Sequence, residues 1–120
     1  MDLAGRIIGA AIEVHAALGP GLLESAYEAC LAHELSVRGL GWRRQVELPI
    51  SYKDVNIDCG YRVDLVVEDS VIVELKACDE LRSIHEAQLL TYMKLGGWRV
   101  GLLMNFNAPR LVDGVRRFVL

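Results

Sequence analysis

Three absences narrow the kinds of protein that this chain can be. Its 120 residues include only three cysteines, widely spaced and without a Cys-x-x-Cys pair, which indicates reduced thiols and argues against a disulfide framework or a cysteine zinc site. No apolar run approaches the roughly 18–20 residues that a bilayer span requires. The first residues lack a basic segment leading into an uninterrupted apolar stretch, so we expect no signal peptide. These absences predict a cytoplasmic protein with no membrane partner.

The chain also lacks an excess of positive charge. Its net charge of −3 argues against a protein that coats nucleic acid non-specifically, because such proteins present a basic surface. The length of 120 residues predicts a single domain covering 1–120. The apolar fraction of 52% is slightly above the usual range of roughly 45–50%. Small domains often bury such an excess between subunits, so we expect a homodimer or a higher homo-oligomer.

Hydrophobic periodicity predicts a mixed α/β fold in which helices pack on a central mixed sheet. The predicted elements, in order, are helices over 3–18 and 22–37, a strand over 42–52, a short strand around 57, a hairpin over 61–77, a helix over 84–95, and strands over 99–106 and 117–120. Whether Pro20 kinks the first helical region or separates two helices stays open. Pro49 indicates an edge or a bulge. Ser83 and Glu86 have the spacing of a capping box.

The hairpin carries the strongest pattern in the chain. The odd positions of its two strands are apolar, namely Val63, Leu65, Val67, Val71, Val73 and Leu75. Asp64, Glu74 and Lys76 fall on the opposite face, because side chains alternate along a strand. If residues 68–70 form the loop, Asp64 lies directly opposite Glu74, with Cβ atoms about 5 Å apart. The pattern therefore predicts two facing carboxylates with a lysine beside them.

Two facing carboxylates repel each other unless a cation lies between them. Oxygen ligands on strands suit Mg²⁺ or Mn²⁺, which proteins bind through one or two carboxylates together with substrate phosphate. Lys76 could then orient a water molecule or stabilise charge on a phosphoryl group in the transition state. From the hairpin alone, a salt-bridge ladder on the solvent side of the sheet remains the alternative.

Two helical pairs could add side chains to this site. Glu24 and Tyr27 share one helix face, as do Gln88 and Tyr92. Glu24 could instead be a first-turn carboxylate that the helix dipole favours, and the second pair could be ordinary interface polar residues. His15 lies near the Gly-Pro-Gly break and could reach the site, although a structural histidine is the favoured interpretation.

At these residues the chain resembles a known group of enzymes. Asp64 followed by the segment 74–76 (ELK) matches the Asp…(Asp/Glu)-x-Lys signature of the PD-(D/E)XK nuclease superfamily. The segment 21–27 (GLLESAY) matches the Gly-x-x-Glu-x-x-Tyr motif of one family within it, the GxxExxY proteins, and 85–92 (HEAQLLTY) resembles that family's following helix. The resemblance runs from about residue 5 to the last residue, and the three motifs in this order make it specific.

The resemblance implies a restriction-endonuclease-like αβββαβ core with a metal held at its second and third strands. Asp64 and Glu74 would be the metal ligands, with the Leu75 carbonyl as a third. Lys76 would be the catalytic lysine. The implied cofactor is Mg²⁺ or Mn²⁺.

The remaining roles also follow from the resemblance. Glu24 would complete the acidic cluster, and Gln88 would be the auxiliary polar residue on the helix after the third core strand. Tyr27, Tyr92 and His15 are accessory candidates. The implied function is metal-dependent hydrolysis of phosphodiester bonds in DNA or RNA. The alternatives are a non-catalytic nucleic-acid- or protein-binding module that keeps the fold, and an oligomeric interaction protein within a larger assembly.

Overall fold

The computed structural model describes residues 1–120, in which three helices flank a five-stranded sheet and a two-stranded sheet lies beside it. The elements are α1 (Leu3–Leu18), α2 (Glu24–Val37), β1 (Trp42–Glu47), β2 (Ile50–Tyr52), β3 (Val55–Ile57), β4 (Arg62–Val67), β5 (Val71–Lys76), α3 (Ser83–Gly96), β6 (Val100–Asn105), a short 3-10 helix (Leu111–Gly114) and β7 (Val115–Val119). None of the three helices combines the length and the apolar character that a membrane span needs.

The Gly-Pro-Gly segment separates two helices and does not kink one. The Asp2 side chain caps α1 by accepting a hydrogen bond from the Gly5 N–H at 2.9 Å. The helix ends at Gly19, whose φ of +69° favours glycine, and Gly21 follows with a φ of +103°. The second helix begins at Glu24, two residues later than predicted, which places this glutamate in the first turn.

The large sheet has the strand order β1-β4-β5-β6-β7 and is mixed, since only β5 and β6 run parallel. Helices α1 and α2 cover one face, where they share a core with residues such as Leu65 and Leu75. Helix α3 covers the other face, above Val66 and Ile72. This arrangement confirms the predicted mixed α/β fold, in which α3 is the crossover that two parallel strands need.

The predicted strand over 42–52 is wrong as one element. It divides into β1, in the large sheet, and β2, which pairs only with β3. The division falls at Leu48 and Pro49, where proline has no N–H to continue a ladder. Leu48 is buried, and its N–H donates to the Tyr61 carbonyl at 3.1 Å. The chain therefore leaves the large sheet here and forms a small separate hairpin.

The start of α3 also differs from the prediction. Ser83 is already helical, and the cap is formed by the Arg82 N–H, which donates to Nδ1 of His85 at 3.0 Å. The cap keeps the three-residue spacing of a capping box but lies one residue earlier in the chain than predicted. An imidazole nitrogen thus replaces the expected Glu86 carboxylate as the acceptor.

Candidate active site

The β4–β5 hairpin has the predicted register, and its ladder stops where the two carboxylates begin. Leu65 lies opposite Val73 in the last regular pair. At the next position the Asp64 N–H donates to Glu74 Oε1 at 2.9 Å. In the same way the Leu75 N–H donates to Asp64 Oδ2 at 2.9 Å. Each carboxylate is therefore oriented by a backbone amide of the opposite strand, and side chains replace the ladder bonds.

The two carboxylates are shielded from water, and neither is paired with a basic side chain. Glu74 is 5% exposed, Asp64 is half-buried, and neither lies within 4.0 Å of a basic side chain. Burial, followed by the charge of Asp64, raises the pKa of Glu74 to about 8. Burial, together with the charge of Glu28, also raises the pKa of Asp64. The pair is therefore costly to keep fully ionised at neutral pH without a positive charge.

Lys76 lies close enough to act on both carboxylates but is not bonded to either. Its positive charge lowers the pKa of Asp64 and of Glu74. The lysine is half-buried and forms no ion pair within 4.0 Å. A salt-bridge ladder would need exposed carboxylates paired with the lysine. The structure therefore does not form the ladder that the hairpin pattern alone left open.

Helix α2 brings a third acidic residue to the end of β5. Glu24 Oε1 accepts a hydrogen bond from the Ala77 N–H at 3.2 Å. Tyr27 points elsewhere: it is fully buried, and its hydroxyl donates to the Gly19 carbonyl at 2.5 Å and accepts from the Leu22 N–H at 3.1 Å. The tyrosine thus fixes the turn before α2, and this turn determines where Glu24 lies.

Two site residues were not found from the sequence. Glu28, one turn after Glu24, is 5% exposed and accepts hydrogen bonds from Arg44 Nη2 at 2.8 Å and from Gln45 Nε2 at 2.6 Å. Gln45 Nε2 also lies 3.3 Å from Asp64 Oδ1. A polar cavity of about 170 Å³ lies among these side chains and Ser25. The four-residue spacing of Glu24 and Glu28 on one helix face was the available signal for the second acid.

Both strands at this cavity depart from regular geometry at the same level. Gln45 has a φ of +50° within β1 and stands opposite Asp64, a position missing from the otherwise continuous β1–β4 register. Val63 and Leu65 consequently pack on opposite faces of the sheet, although residues two apart normally share a face. The prediction that Val63 shares the face of Leu65 is wrong for this reason. A left-handed conformation costs a residue such as glutamine roughly 1–3 kcal/mol.

Helix α3 approaches the carboxylates from the other face of the sheet. Gln88 Nε2 donates to the Tyr92 hydroxyl at 3.0 Å. Burial, followed by the charge of Glu74, raises the pKa of Tyr92, so this hydroxyl lies within electrostatic range of the carboxylate. The Tyr92 and Tyr61 ring centroids are 5.9 Å apart, and both rings line a groove of about 500 Å³. Gln88 therefore bonds Tyr92 and has no hydrogen bond to either carboxylate.

His15 does not join this cluster. It is 8% exposed, and its Nε2 lies 2.8 Å from the Ala108 carbonyl oxygen, near the ring of Phe106. The histidine thus connects α1 to the segment that follows β6. The predicted residues that lie together at the ends of β4 and β5 are Glu24, Asp64, Glu74, Leu75 and Lys76. Gln88 and Tyr92 bond each other on α3, and the contacts of Tyr27 and His15 lie elsewhere.

A family model for the PD-(D/E)XK nuclease superfamily matches residues 1–118. This chain belongs to the PD-(D/E)XK nuclease superfamily. The match covers the carboxylate pair, the lysine and both helices that approach them. No curated protein and no solved structure matches the chain. Membership in the superfamily indicates a nuclease-type function, and PD-(D/E)XK nucleases generally use divalent metals.

The oxygen atoms at the end of the β4–β5 ladder, where the two carboxylates face each other, suit such a metal. No group of three or more histidine, cysteine, aspartate or glutamate side chains is arranged to hold an ion. Asp64 and Glu74 form a pair of facing carboxylates, which would need backbone, water or substrate oxygens to complete the shell of a metal. The Leu75 N–H points towards Asp64, and the carbonyl of the same strand residue faces the same side. Mg²⁺ commonly uses one or two carboxylates and completes its shell with water and substrate phosphate. This PD-(D/E)XK site therefore fits a hard divalent cation.

Proposed function

We propose that this chain is a nuclease that hydrolyses phosphodiester bonds in DNA or RNA with Mg²⁺ or Mn²⁺. The observation that carries the proposal is the carboxylate pair, in which the buried Glu74 and the half-buried Asp64 face each other with no basic side chain within 4.0 Å. Two backbone amides hold both groups in place. Two carboxyl groups fixed this close together are easier to ionise when a cation is bound between them. Membership in a nuclease superfamily supports the phosphodiester as the substrate.

Asp64, Glu74 and the Leu75 carbonyl would hold the ion. When bound, it would neutralise charge on the phosphate and lower the pKa of water. Lys76, on the same face of β5, would orient the attacking water and stabilise the negative charge that develops on the phosphoryl oxygens. The water gives up a proton to the solvent as its oxygen attacks phosphorus, the bond from phosphorus to the leaving oxygen breaks, and that oxygen takes up a proton from the solvent.

Two further residues would act at the edge of this site. Glu24, held by the Ala77 N–H, would complete the acidic cluster directly or through a water molecule. Gln88 would act through the Tyr92 hydroxyl to which it donates. These two residues approach from opposite faces of the sheet, so a phosphate at the carboxylates would lie between α2 and α3.

We further propose that the chain is a member of the GxxExxY family. The segment 21–27 carries the motif of that name, and its tyrosine and glutamate have separate tasks. Tyr27 holds the turn before α2, and Glu24 faces the end of β5. These separate contacts account for the spacing of the motif, because the position of the first turn of α2, which Tyr27 fixes, determines where the Glu24 carboxylate lies.

Other properties of the molecule support proposals about its organisation. One domain over 1–120 is supported by the ion pair of Asp2 with Arg117, 2.7 Å long, which joins the two ends of the chain. A homo-oligomer is supported by the β2–β3 hairpin, which exposes Tyr52, Val55 and Ile57. All three cysteines are free thiols, which suits a cytoplasmic location.

Cleavage of labelled nucleic acids tests the proposed function. The wild type would be incubated with single-stranded, duplex and branched DNA and RNA, with Mg²⁺, with Mn²⁺, and with a chelator. We expect metal-dependent cleavage that Asp64→Asn and Glu74→Gln abolish. The matched control is Asp69→Asn, since Asp69 lies in the same hairpin but is exposed and paired with Arg43. A wild type that neither binds metal at millimolar concentration nor cleaves any substrate would contradict the proposal.

A further inference from the structure

One strand residue next to the site has a backbone conformation found elsewhere only in turns. Five non-glycine residues have a positive φ, and four of them, Lys53, Asp54, Glu68 and Asp69, lie in the turns of hairpins. Gln45 is the exception, with a φ of +50° inside β1. No turn accounts for this conformation, and the Gln45 side chain contacts residues outside β1.

The Gln45 side chain lies between two carboxylates. Its amide nitrogen donates to Glu28 Oε1 at 2.6 Å and lies 3.3 Å from Asp64 Oδ1. Asp64 Oδ2 is already bonded to the Leu75 N–H at 2.9 Å. Both oxygens of the Asp64 carboxylate thus have a donor, one from the neighbouring strand and one from Gln45. Together these two donors determine the plane of the carboxylate.

Glu28, which accepts the hydrogen bond from Gln45, is itself held in place. Arg44 donates to Glu28 Oε2 through Nη2 at 2.8 Å and Nε at 3.3 Å. Glu28 is 5% exposed, so its position follows from packing as well as from the arginine. Without the amide between them, Glu28 and Asp64 would face each other across the polar cavity as like charges. Gln45 therefore separates the two carboxylates. Because it is bonded to the buried Glu28, it also restrains the orientation of Asp64, the proposed metal ligand.

We propose that Gln45 is a positioning residue that orients the Asp64 carboxylate for a divalent cation. The left-handed backbone is the conformation in which the amide reaches Glu28 and Asp64, and it coincides with the one missing pair in the β1–β4 register. The inference rests on the proposed function, because it assigns Gln45 a part in the same metal site. Gln45 itself contacts neither the ion nor the phosphate in this role.

The test separates metal affinity from folding. Gln45→Gly accepts a positive φ and removes the amide, while Gln45→Asn tolerates the same conformation but has a shorter side chain. The matched control is Lys53→Gly, since Lys53 has a φ of +49° in the β2–β3 turn, away from the carboxylates. Calorimetric titration with Mn²⁺ and thermal unfolding without metal would be recorded for the wild type and for all three variants.

We expect both Gln45 variants to bind Mn²⁺ roughly 10–100-fold more weakly than the wild type, the range that follows loss of a residue supporting a ligand. Metal-free Gln45→Gly should still unfold cooperatively, because relief of the left-handed backbone offsets part of the loss of the hydrogen bond to the buried Glu28. Lys53→Gly should keep the wild-type affinity.

Two results would overturn the inference about Gln45 but leave the proposed function standing. One is that the Gln45 variants bind Mn²⁺ within twofold of a wild type that binds it. The other is that Lys53→Gly loses as much Mn²⁺ affinity as they do. Unfolding of both Gln45 variants would also overturn it, because it would show a purely structural role. A wild type that binds no Mn²⁺ would instead overturn the proposed function, and this inference with it.

Discussion

Acidic residues at the two ends of the β4–β5 hairpin differ in solvent exposure and in pairing with basic side chains. At the loop end, Asp69 is exposed and paired with Arg43 at 3.0 Å. At the open end, Asp64 and Glu74 are withdrawn from water, face each other, and have no basic partner within 4.0 Å. An acid that serves only the fold is hydrated or paired, whereas this pair raises the energy of the apoprotein. The contrast supports the proposal that the open end of the hairpin is a ligand site.

The largest effect should come from neutralising the buried pair. Asp64→Asn or Glu74→Gln should lower the rate of metal-dependent cleavage by about 1,000-fold or more, because charge stabilisation by the ion depends on both carboxylates. The same variants should be more stable than the wild type at pH 8 without metal, since they remove a like-charge contact. Cleavage assays and thermal unfolding would measure the two effects on the same samples.

At the loop end, Asp69→Asn should change neither quantity appreciably, because exposed ion pairs contribute roughly 0–1 kcal/mol. Equal losses of activity at the two ends of the hairpin would erase the contrast between them.

Lys76→Ala should separate catalysis from binding of the ion. We expect cleavage to fall by about 100–1,000-fold, the range for loss of one preorganised group that stabilises developing charge. Mn²⁺ affinity should be unchanged or higher, because the lysine is a positive charge beside the proposed ligands. A loss of both cleavage and Mn²⁺ binding with the fold intact would mean that Lys76 supports the binding of the ion and not the chemical step.

The free energy of unfolding should depend on pH through the raised pKa of Glu74. Its folded pKa of about 8 exceeds the ordinary glutamate pKa of 4.5, so the folded state binds more protons than the unfolded state between those values. The contribution to stability is therefore fully present below pH 4.5 and is lost as the pH rises through 8. Between pH 5 and 8 the metal-free protein should lose on the order of 3 kcal/mol from this group.

Denaturant unfolding at several pH values would measure the loss, and Glu74→Gln should flatten the curve. An equally steep loss in this variant would assign the pH dependence to another group.

Two neighbouring arginines offer the smallest and most local comparison. Arg44 bonds the buried Glu28, whereas Arg43 bonds the exposed Asp69. Arg44→Ala should lower the free energy of unfolding by about 2 kcal/mol, because it leaves a buried carboxylate with less compensation. Arg43→Ala should cost about 0–1 kcal/mol. Chemical denaturation of both variants would compare them directly, and a reversed order would show that burial of Glu28 does not determine the strength of its pairing.

Much of the site could be predicted because it depends on local periodicity. The alternation along β4 and β5, together with a loop at 68–70, was enough to place Asp64 opposite Glu74, and the hairpin register confirms this. Helical spacing likewise paired Gln88 with Tyr92, which are hydrogen-bonded. These relations join residues close in the chain, where the geometry of one element determines which side chains meet.

The connection through Gln45 could not be predicted in the same way. It joins α2 to β1 and β4, so it depends on how separate elements pack and on a single residue with positive φ. Regular alternation placed Val63 on the wrong face because the pattern contains no sign of that local reversal. The break at Pro49 was signalled only as an edge or a bulge, and tertiary pairing of β2 with β3 decided the outcome.

The most direct test of a metal-binding carboxylate pair is the proton balance of Mn²⁺ binding. Calorimetric titrations at pH 7 in two buffers of different ionisation enthalpy would give the number of protons released per ion. We predict the release of about one proton, since Glu74 is largely protonated before the cation binds and ionised afterwards. Glu74→Gln should bind more weakly and release almost none. An absence of Mn²⁺ binding at millimolar concentration, or binding with the same proton release in Glu74→Gln, would contradict the account.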